Sequence, residues 1–277
     1  MTDLNQLNAL LEDDSLQLEL EGSILKIWLN RPDSRNAMSL NMVKSIMKIF
    51  HAIAEDTSIR AVVFRGKGHH FCAGGDIKDM ASIRAAAMSE GSNQPYIDFN
   101  RTFGAMIELV DQAPQTVVAI LEGAVLGGGF GLACISDIAI AHKEAQFGLP
   151  ETGLGILPAQ IAPFVVKRVG LTQARRLALL GARFNGEKAL QFGVVHEVVD
   201  DEEQLNEFIA QTLEQIKRAA PLASRATKAL LHRTLGDEPL SQLLDAAAAQ
   251  FADAVNSAEG MEGTMAFIQK RKPSWAE

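Results

Sequence analysis

The sequence predicts an α/β chain with a helical C-terminal region. Three observations carry that expectation. Short runs of β-forming residues alternate with helical spacing in the first part of the chain, everything from Leu171 onward is helix-rich, and two of the strand-like runs end in glycine-rich turns that open helices. The expected organisation is a leader over residues 1–14, a core domain over 15–200 and a helical region over 201–277.

Leu16–Glu21 and Ile24–Asn30 alternate as the strands of a hairpin turning at Glu21-Gly22-Ser23. Pro32, in Arg31-Pro32-Asp33, ends ladder pairing because it has no N–H to donate. Ser39 is placed to cap a helix running to Glu55, with Leu40, Val43, Met47 and Phe50 on one stripe. Ala61–Arg65 is the next strand. Residues 82–95, Ala-rich and then Gly-Ser-Asn-Gln-Pro, fit no packed element and read as a mobile segment, a candidate lid. Tyr96–Val110 reads as helix, Val117–Leu121 as a buried strand and Phe130–Ile135 as helix. Ile138–Ala141 and Ala145–Phe147 are short strands, and Leu149-Pro150-Glu151 opens a loop that ends at Pro158. Helices are expected over 201–219, 221–233, 240–256 and 259–270, and no internal repeat is evident.

A chain of 277 residues with 47% hydrophobic content is long enough for one large core or a core with a smaller lobe. Its net charge of −8 opposes a general nucleic-acid surface, which needs clustered Lys and Arg. Cys72 and Cys134 lie in apolar stretches without metal-ligand spacing and read as buried reduced thiols. No run approaches the roughly 18 apolar residues of a membrane span. The first fourteen residues are acidic and lack the pattern of a secretory signal, so a cytoplasmic protein is expected.

Chemistry concentrates at the glycines. Gly127-Gly128-Gly129 stands between a strand and a helix, a geometry that leaves backbone N–H groups free at the positive end of a helix dipole. An oxyanion, a phosphate or plain turn packing all fit such a place, although neither GxxxxGK[ST] nor GxGxxG is present. Residues 61–80 repeat the arrangement, with a strand, a turn and then Ala73-Gly74-Gly75-Asp76. Two such loops can each aim one N–H at a single oxygen, as a two-donor oxyanion hole requires.

Phe71-Cys72-Ala73-Gly74-Gly75-Asp76-Ile77-Lys78, Leu126-Gly127-Gly128-Gly129 and Gln146-Phe147-Gly148-Leu149-Pro150-Glu151 together resemble the signature of the crotonase superfamily, the enoyl-CoA hydratases and isomerases. The resemblance runs in order from Leu16 to Lys272. It implies a crotonase-like spiral of repeated ββα units with a helical C-terminal trimerisation region, and hence a homotrimer or a dimer of trimers. Within the superfamily, Arg35-Asn36-Ala37-Met38-Ser39, Ala159–Val166 and Gln269–Pro273 resemble the branch that hydrates isohexenylglutaconyl-CoA in acyclic terpene breakdown.

The substrate so implied is an acyl-CoA thioester. No separate cofactor is expected, because coenzyme A is part of the substrate. The implied oxyanion donors are the N–H groups of Ala73 and Gly128, and the implied acid–base group is Glu151, whose apolar neighbours favour a raised carboxyl pKa. Two-glutamate hydratases carry a second Glu where this chain has Gly131. Hydration by Glu151 alone, Δ3,Δ2-enoyl-CoA isomerisation, and replacement of the missing group by another side chain such as Gln160 therefore stay open, as does a non-catalytic binding member of the fold. Gly131 is also expected to leave room for a branched acyl group, and Arg84 and His142 are candidates for a distal substrate carboxylate or are simply solvated. Arg35, Ala37 and the backbone around Asp76, Ile77 and Lys78 match the family's pocket for the nucleotide and pantetheine, with the Lys78 side chain meeting phosphate or water. Phe251 and Lys270 match groups that a neighbouring subunit lends to the adenine end, against core packing and a solvated helix end.

Overall fold

The chain starts with a packed helix where a loose leader was expected. Residues 2–276 are described in the computed structural model. Helix α1 (Leu4–Asn8) is capped by Asp3 and Gln6 in a reciprocal box, and its Leu7 is fully buried in the main core. Five residues are too few to display a helical period, so the helix is held by its cap and one buried side chain.

Strands β1 (Leu16–Glu21) and β2 (Ile24–Leu29) form the expected antiparallel hairpin. Helix α2 (Leu40–Ile53) begins at Ser39, whose hydroxyl accepts the Met42 N–H, and buries Met42, Val43, Ile46, Ile49, Phe50 and Ile53. Phe50 stacks on Phe64 of β3 (Ala61–Gly66) with ring centroids 5.9 Å apart, which docks α2 on the sheet. Next come α3 (Ile77–Glu90), α4 (Gln94–Asp111), β4 (Thr116–Leu121), β5 (Ala124–Leu126) and α5 (Gly128–Ile135). They are followed by β6 (Ile138–His142), β7 (Gln146–Gly148), α6 (Ala162–Leu180), β8 (Arg183–Phe184), α7 (Gly186–Gln191) and β9 (Glu197–Val199).

The strands form two sheets. The larger has the order β1-β2-β3-β4-β6-β9 and is parallel after the first hairpin; the smaller has the order β5-β7-β8. The units β4–β5–α5 and β6–β7–α6 each send one strand to each sheet before turning into a helix, which is the ββα plan. The central strand β4 is fully buried from Val117 to Leu121, so it reads as a continuous apolar run rather than an alternating one. Phe130 of α5 meets Phe147 and Phe184 edge-on, at 6.4 and 6.1 Å, and so ties α5 to the smaller sheet. Neither β8 nor β9 was expected, since two or three residues carry no readable alternation.

Residues 82–95 differ from expectation. The stretch to Glu90 is the second half of α3, Gly91 closes it in the left-handed region, and α4 begins at Gln94. Its alanines favour a helix, but α3 buries only Ala87, so no apolar stripe announces it.

The chain divides into two compact units that meet at Phe208 and Ile209, within α8 (Glu202–Arg218). The second unit continues through α9 (Pro221–Arg233), α10 (Leu240–Asn256) and α11 (Ala258–Ile268). Leu243 and Ala266 are its buried apolar anchors on α10 and α11, and Ser257 caps α11. Among the described residues, no helix is long and apolar enough to cross a membrane.

Leu7→Ala is expected to lower the stability of the folded chain by about 2–5 kcal/mol, as for other buried leucines. An unchanged urea midpoint would mean that α1 is not docked.

Candidate active site

Two loops and one carboxylate meet at a single cavity. The first loop leaves β3 and pairs with the smaller sheet: the Phe71 N–H donates to the Glu122 carbonyl at 2.7 Å and the Cys72 N–H to the Ala124 carbonyl at 2.8 Å, while the Leu126 N–H returns to the Cys72 carbonyl at 2.9 Å. Beyond Cys72 the chain bridges Met38. Gly74 accepts from the Met38 N–H at 2.8 Å, and the Asp76 N–H donates to the Met38 carbonyl at 3.0 Å. This pairing consumes the carbonyl before Gly75 and the N–H after it, so the Gly75 N–H itself faces the opposite edge, where it has no protein acceptor.

The second loop is the glycine turn between β5 and α5. Gly127 adopts φ 50° and ψ −117°, which glycine alone takes up readily. A Cβ on Gly129 would stand 2.7 Å from the Cys72 Cβ and 2.6 Å from its carbonyl oxygen, so glycine there lets α5 close on the first loop. Gly128 is the first residue of α5, and its N–H has no intrahelical acceptor. Gly75 and Gly128 both line a cavity of about 160 Å³, walled by Met38, Val43, Met80, Phe99, Phe103 and Leu157.

Glu151 stands on the third side. It follows Pro150 and opens a short 3-10 turn, with Thr152 anchored on the Ala178 carbonyl at 2.8 Å. Its Oε1 lies 3.1 Å from where a Cβ on Gly127 would be, and its Oε2 is buried without a hydrogen-bond partner. Burial raises its carboxyl pKa above the ordinary value, offset only in part by its own backbone N–H. A carboxylate whose pKa is raised in this way is a better proton acceptor than an ordinary glutamate.

The structure corrects several sequence expectations. Ala73 is not a free donor, because its N–H is spent on the Arg35 carbonyl at 3.0 Å and the residue does not line the cavity; the open N–H in that loop belongs to Gly75. Gly131 does not enlarge the cavity. A Cβ there would meet the Ile161 Cγ2 at 2.3 Å, so Ile161 fills the space that a side chain would take. Neither Arg84, exposed on α3, nor His142, whose Nε2 lies 3.0 Å from the Asp200 carbonyl, reaches the cavity. The Asp76 carboxylate caps α3 through the Lys78 N–H at 2.7 Å and pairs with Arg31 at 2.5 Å, which leaves the expectation for the backbone of the 76–78 segment unaffected.

Other expected residues lie as follows. Gln160 lines the cavity, as do Gly128 and Glu151. Arg35, in the left-handed region at φ 51°, and Ala37, whose carbonyl accepts from Arg31 Nη1 at 2.5 Å, form the turn beside the first loop. Ile77 and Lys78 are exposed at the start of α3. In the second unit Phe251 is exposed on α10, and Lys270 lies just past α11 with φ 54°. Sequence reasoning missed Gly75, Asn100 and Phe103. Gly75 alone had a signal, its place directly before the helix-capping Asp76. Cys72 and Cys134 are buried thiols, each pushed up to about 12 by desolvation, which keeps them unreactive. Among the described residues, no three His, Cys, Asp or Glu side chains group as metal ligands.

Two outcomes follow. The space in front of Gly75 is open and its φ is not positive, so Gly75→Ala should keep turnover, while Gly75→Pro, which deletes the N–H, should lower kcat by about 10²–10³. Equal kcat in the two variants would exclude the Gly75 N–H as a donor. A raised Glu151 pKa means that the folded state holds a proton that the unfolded state has released, so stability falls as pH rises from 4.5 through the folded value. Glu151→Gln is therefore expected to gain stability relative to the parent as pH rises above 4.5 in urea unfolding; a pH-independent difference would contradict the desolvated carboxylate.

The geometry agrees with the comparisons to known proteins. A family model described as Enoyl-CoA hydratase/isomerase matches residues 19–277. Carnitinyl-CoA dehydratase of Proteus mirabilis is 33% identical over 267 residues, covering 94% of this chain and 98% of that protein. Among solved structures, Pseudomonas aeruginosa AtuE superposes with a TM-score of 0.92 at 58% identity, covering 95% of this chain and all of that one. An enoyl-CoA hydratase/isomerase from Marinobacter aquaeolei gives 0.92 at 57% identity, covering 96% of this chain and all of that one. This chain is a member of the enoyl-CoA hydratase/isomerase family, on a crotonase fold.

Proposed function

We propose that the protein is a hydro-lyase that adds water across the α,β double bond of a 3-branched glutaconyl-CoA, isohexenylglutaconyl-CoA, with Glu151 as its single acid–base group. The observation that carries this reading is that Gly75 and Gly128, each with an open N–H, and a desolvated carboxylate with one partnerless oxygen line one largely apolar cavity. The thioester oxygen accepts from the two N–H groups, which stabilise the enolate charge as it develops; one such donor elsewhere accounts for roughly 3–4 kcal/mol of barrier. Water attacks C3 as Glu151 takes its proton, and Glu151 then delivers that proton to C2, so that H and OH are added and the carboxylate is regenerated.

The branched acyl group is supported by the likeness of Arg35–Ser39, Ala159–Val166 and Gln269–Pro273 to the isohexenylglutaconyl-CoA branch, and by the aromatic and aliphatic walls at Phe99, Phe103, Met80 and Leu157. Among the described residues no Lys, Arg or His lines the cavity, so the distal carboxylate of this substrate meets no side-chain cation there and is left to solvent. In this reading Arg35, Ala37 and the Ile77–Lys78 segment hold the CoA moiety. A neighbouring copy in a trimer or dimer of trimers supplies Phe251 and Lys270. The 71% exposure of Phe251, amid other exposed apolar side chains on α10 and α11, supports a covering partner there.

One observation favours a second reading. Glu151 is the only carboxylate lining the cavity among the described residues, and one carboxylate suffices for a Δ3,Δ2-enoyl-CoA isomerase that moves a proton between C2 and C4. Incubation with isohexenylglutaconyl-CoA, a straight-chain 2-enoyl-CoA and a 3-enoyl-CoA separates the two by product mass. A water adduct formed mainly from the branched substrate, and reduced about 10²–10⁴-fold in Glu151→Gln, is expected. Conversion of the 3-enoyl-CoA without mass change, and no adduct from any substrate, would make it an isomerase.

A further inference from the structure

Three side chains lining the cavity carry a polar atom among the described residues: Asn100, Glu151 and Gln160. The chemistry above uses one of them. The other two are bonded to each other, Gln160 Nε2 donating to Asn100 Oδ1 at 2.8 Å, although they come from different parts of the chain.

Their meeting is built into the fold. Gly104 sits in the interior of α4, where glycine weakens a helix relative to alanine. The Gln160 carboxamide lies across it: a Cβ on Gly104 would stand 1.9 Å from Gln160 Oε1 and 2.7 Å from the carboxamide carbon. The next residue, Ile161, fills the space over Gly131. Two glycines on two helices thus seat two consecutive side chains, and the carboxamide comes to rest on α4 one turn before Ile107, whose Cδ1 would stand 3.7 Å from a Cβ on Gly131. On the same helix, Phe103 packs its ring 3.0 Å from where a Cβ on Gly128 would be, which holds this part of α4 against the end of α5 that offers the oxyanion donor.

We propose that the Asn100–Gln160 pair holds the water molecule that is added, while Glu151 moves its proton. This rests on the hydratase reading. After their mutual bond, Asn100 keeps both Nδ2 hydrogens, and Gln160 keeps Oε1 and one Nε2 hydrogen. Water needs donors and acceptors together, and the pair presents both. A substrate carboxylate can only accept, and among the side chains lining this cavity it would meet Glu151 and no cation; Arg101, whose Nη1 would stand 2.9 Å from a Cβ on Gly104, does not line the cavity and is paired with Glu108 at 2.8 Å. Neutral carboxamides have no proton to exchange, so the work divides: Gln160 touches the water, Asn100 acts as a positioning residue through Gln160, and Glu151 alone takes the proton from oxygen as the O–C3 bond forms and returns it to C2.

The test uses the full-length protein and two readouts: hydration of the 3-branched glutaconyl-CoA and of 3-methylcrotonyl-CoA, which is branched but lacks the carboxylate, and exchange of the C2 hydrogens of a saturated acyl-CoA in D₂O, which needs Glu151 but no added water. Gln160→Leu is expected to lower kcat for hydration of both substrates by about 100-fold, with KM and C2 exchange within about threefold. Gly104→Ala, which favours the helix while pushing the carboxamide aside, is expected to behave in the same direction, and Gln160→Glu to retain hydration. Wild-type hydration in Gln160→Leu would overturn the proposal. So would a parallel loss of hydration and exchange, which would assign the pair to cavity shape, or a loss confined to the glutaconyl substrate, which would assign it to the carboxylate. If the unaltered protein forms no water adduct while exchanging C2 hydrogens, the hydratase reading itself falls, and this one with it.

Discussion

The candidate site depends on the short pairing of Phe71 and Cys72 with the 122–126 segment. Side-chain donors can adjust to a substrate, whereas backbone N–H groups point where the chain points. Two of them serve one oxygen only if the loop after β3 and the turn before α5 are fixed relative to each other. The three hydrogen bonds between Phe71–Cys72 and Glu122–Leu126 do this directly. Two side chains, the buried Asn36 and the half-buried His70, reinforce them. Asn36 donates through Nδ2 to the carbonyls of Lys67 and His70 at 2.9 and 2.6 Å, and His70 Nδ1 accepts the Ala124 N–H at 3.0 Å. Burial lowers the pKa of His70, which keeps Nδ1 an acceptor and the second loop tied to the first.

Close packing makes the same demand from the other side. Gly129 lies against Cys72 so closely that any side chain would separate α5 from the first loop. The glycine run therefore serves three ends at adjacent positions: a turn at Gly127, an open N–H at Gly128 and a helix–loop contact at Gly129. Packing and an oxyanion site are alternatives when the glycines are read alone, and in the folded chain they are complementary.

Much of this was legible in the sequence, and the exceptions share physical causes. Buried strands such as Val117–Leu121 and capped amphipathic helices such as the one after Ser39 advertise themselves by apolar runs, caps and stripes. Helix α3 does not, because it buries one alanine, and α1 does not, because it rests on one leucine. Within the site, the family resemblance pointed to Glu151 and Gly128, both of which line the cavity, but placed the first donor at Ala73. A motif names residue types; which N–H remains open is decided by a carbonyl from elsewhere, here that of Arg35. The reading of Gly131 as spare room failed for the same reason. Absence of a side chain yields volume only if nothing else moves in, and Ile161 does.

That substitution bears on how one carboxylate can be tuned for proton transfer. In a pair of acids, each charge raises the other's pKa, so a site with two glutamates obtains part of its shift from like-charge repulsion. Here residue 131 is glycine and its side-chain space is sealed, so no second acid faces Glu151 from α5. The shift has to come from desolvation, and desolvation is the sole upward cause acting on Glu151. A carboxylate that relies on burial needs its apolar surroundings kept dry and its oxygens kept from compensating donors, and the partnerless Oε2 meets that condition. Neutral carboxamides on the facing wall are compatible with it, since they hold polar groups in place without bringing a cation that would pull the pKa back down. The sealed glycine, the apolar walls and the uncharged Asn100–Gln160 pair thus form one arrangement, in which burial raises the proton affinity of a single glutamate without help from a second acid.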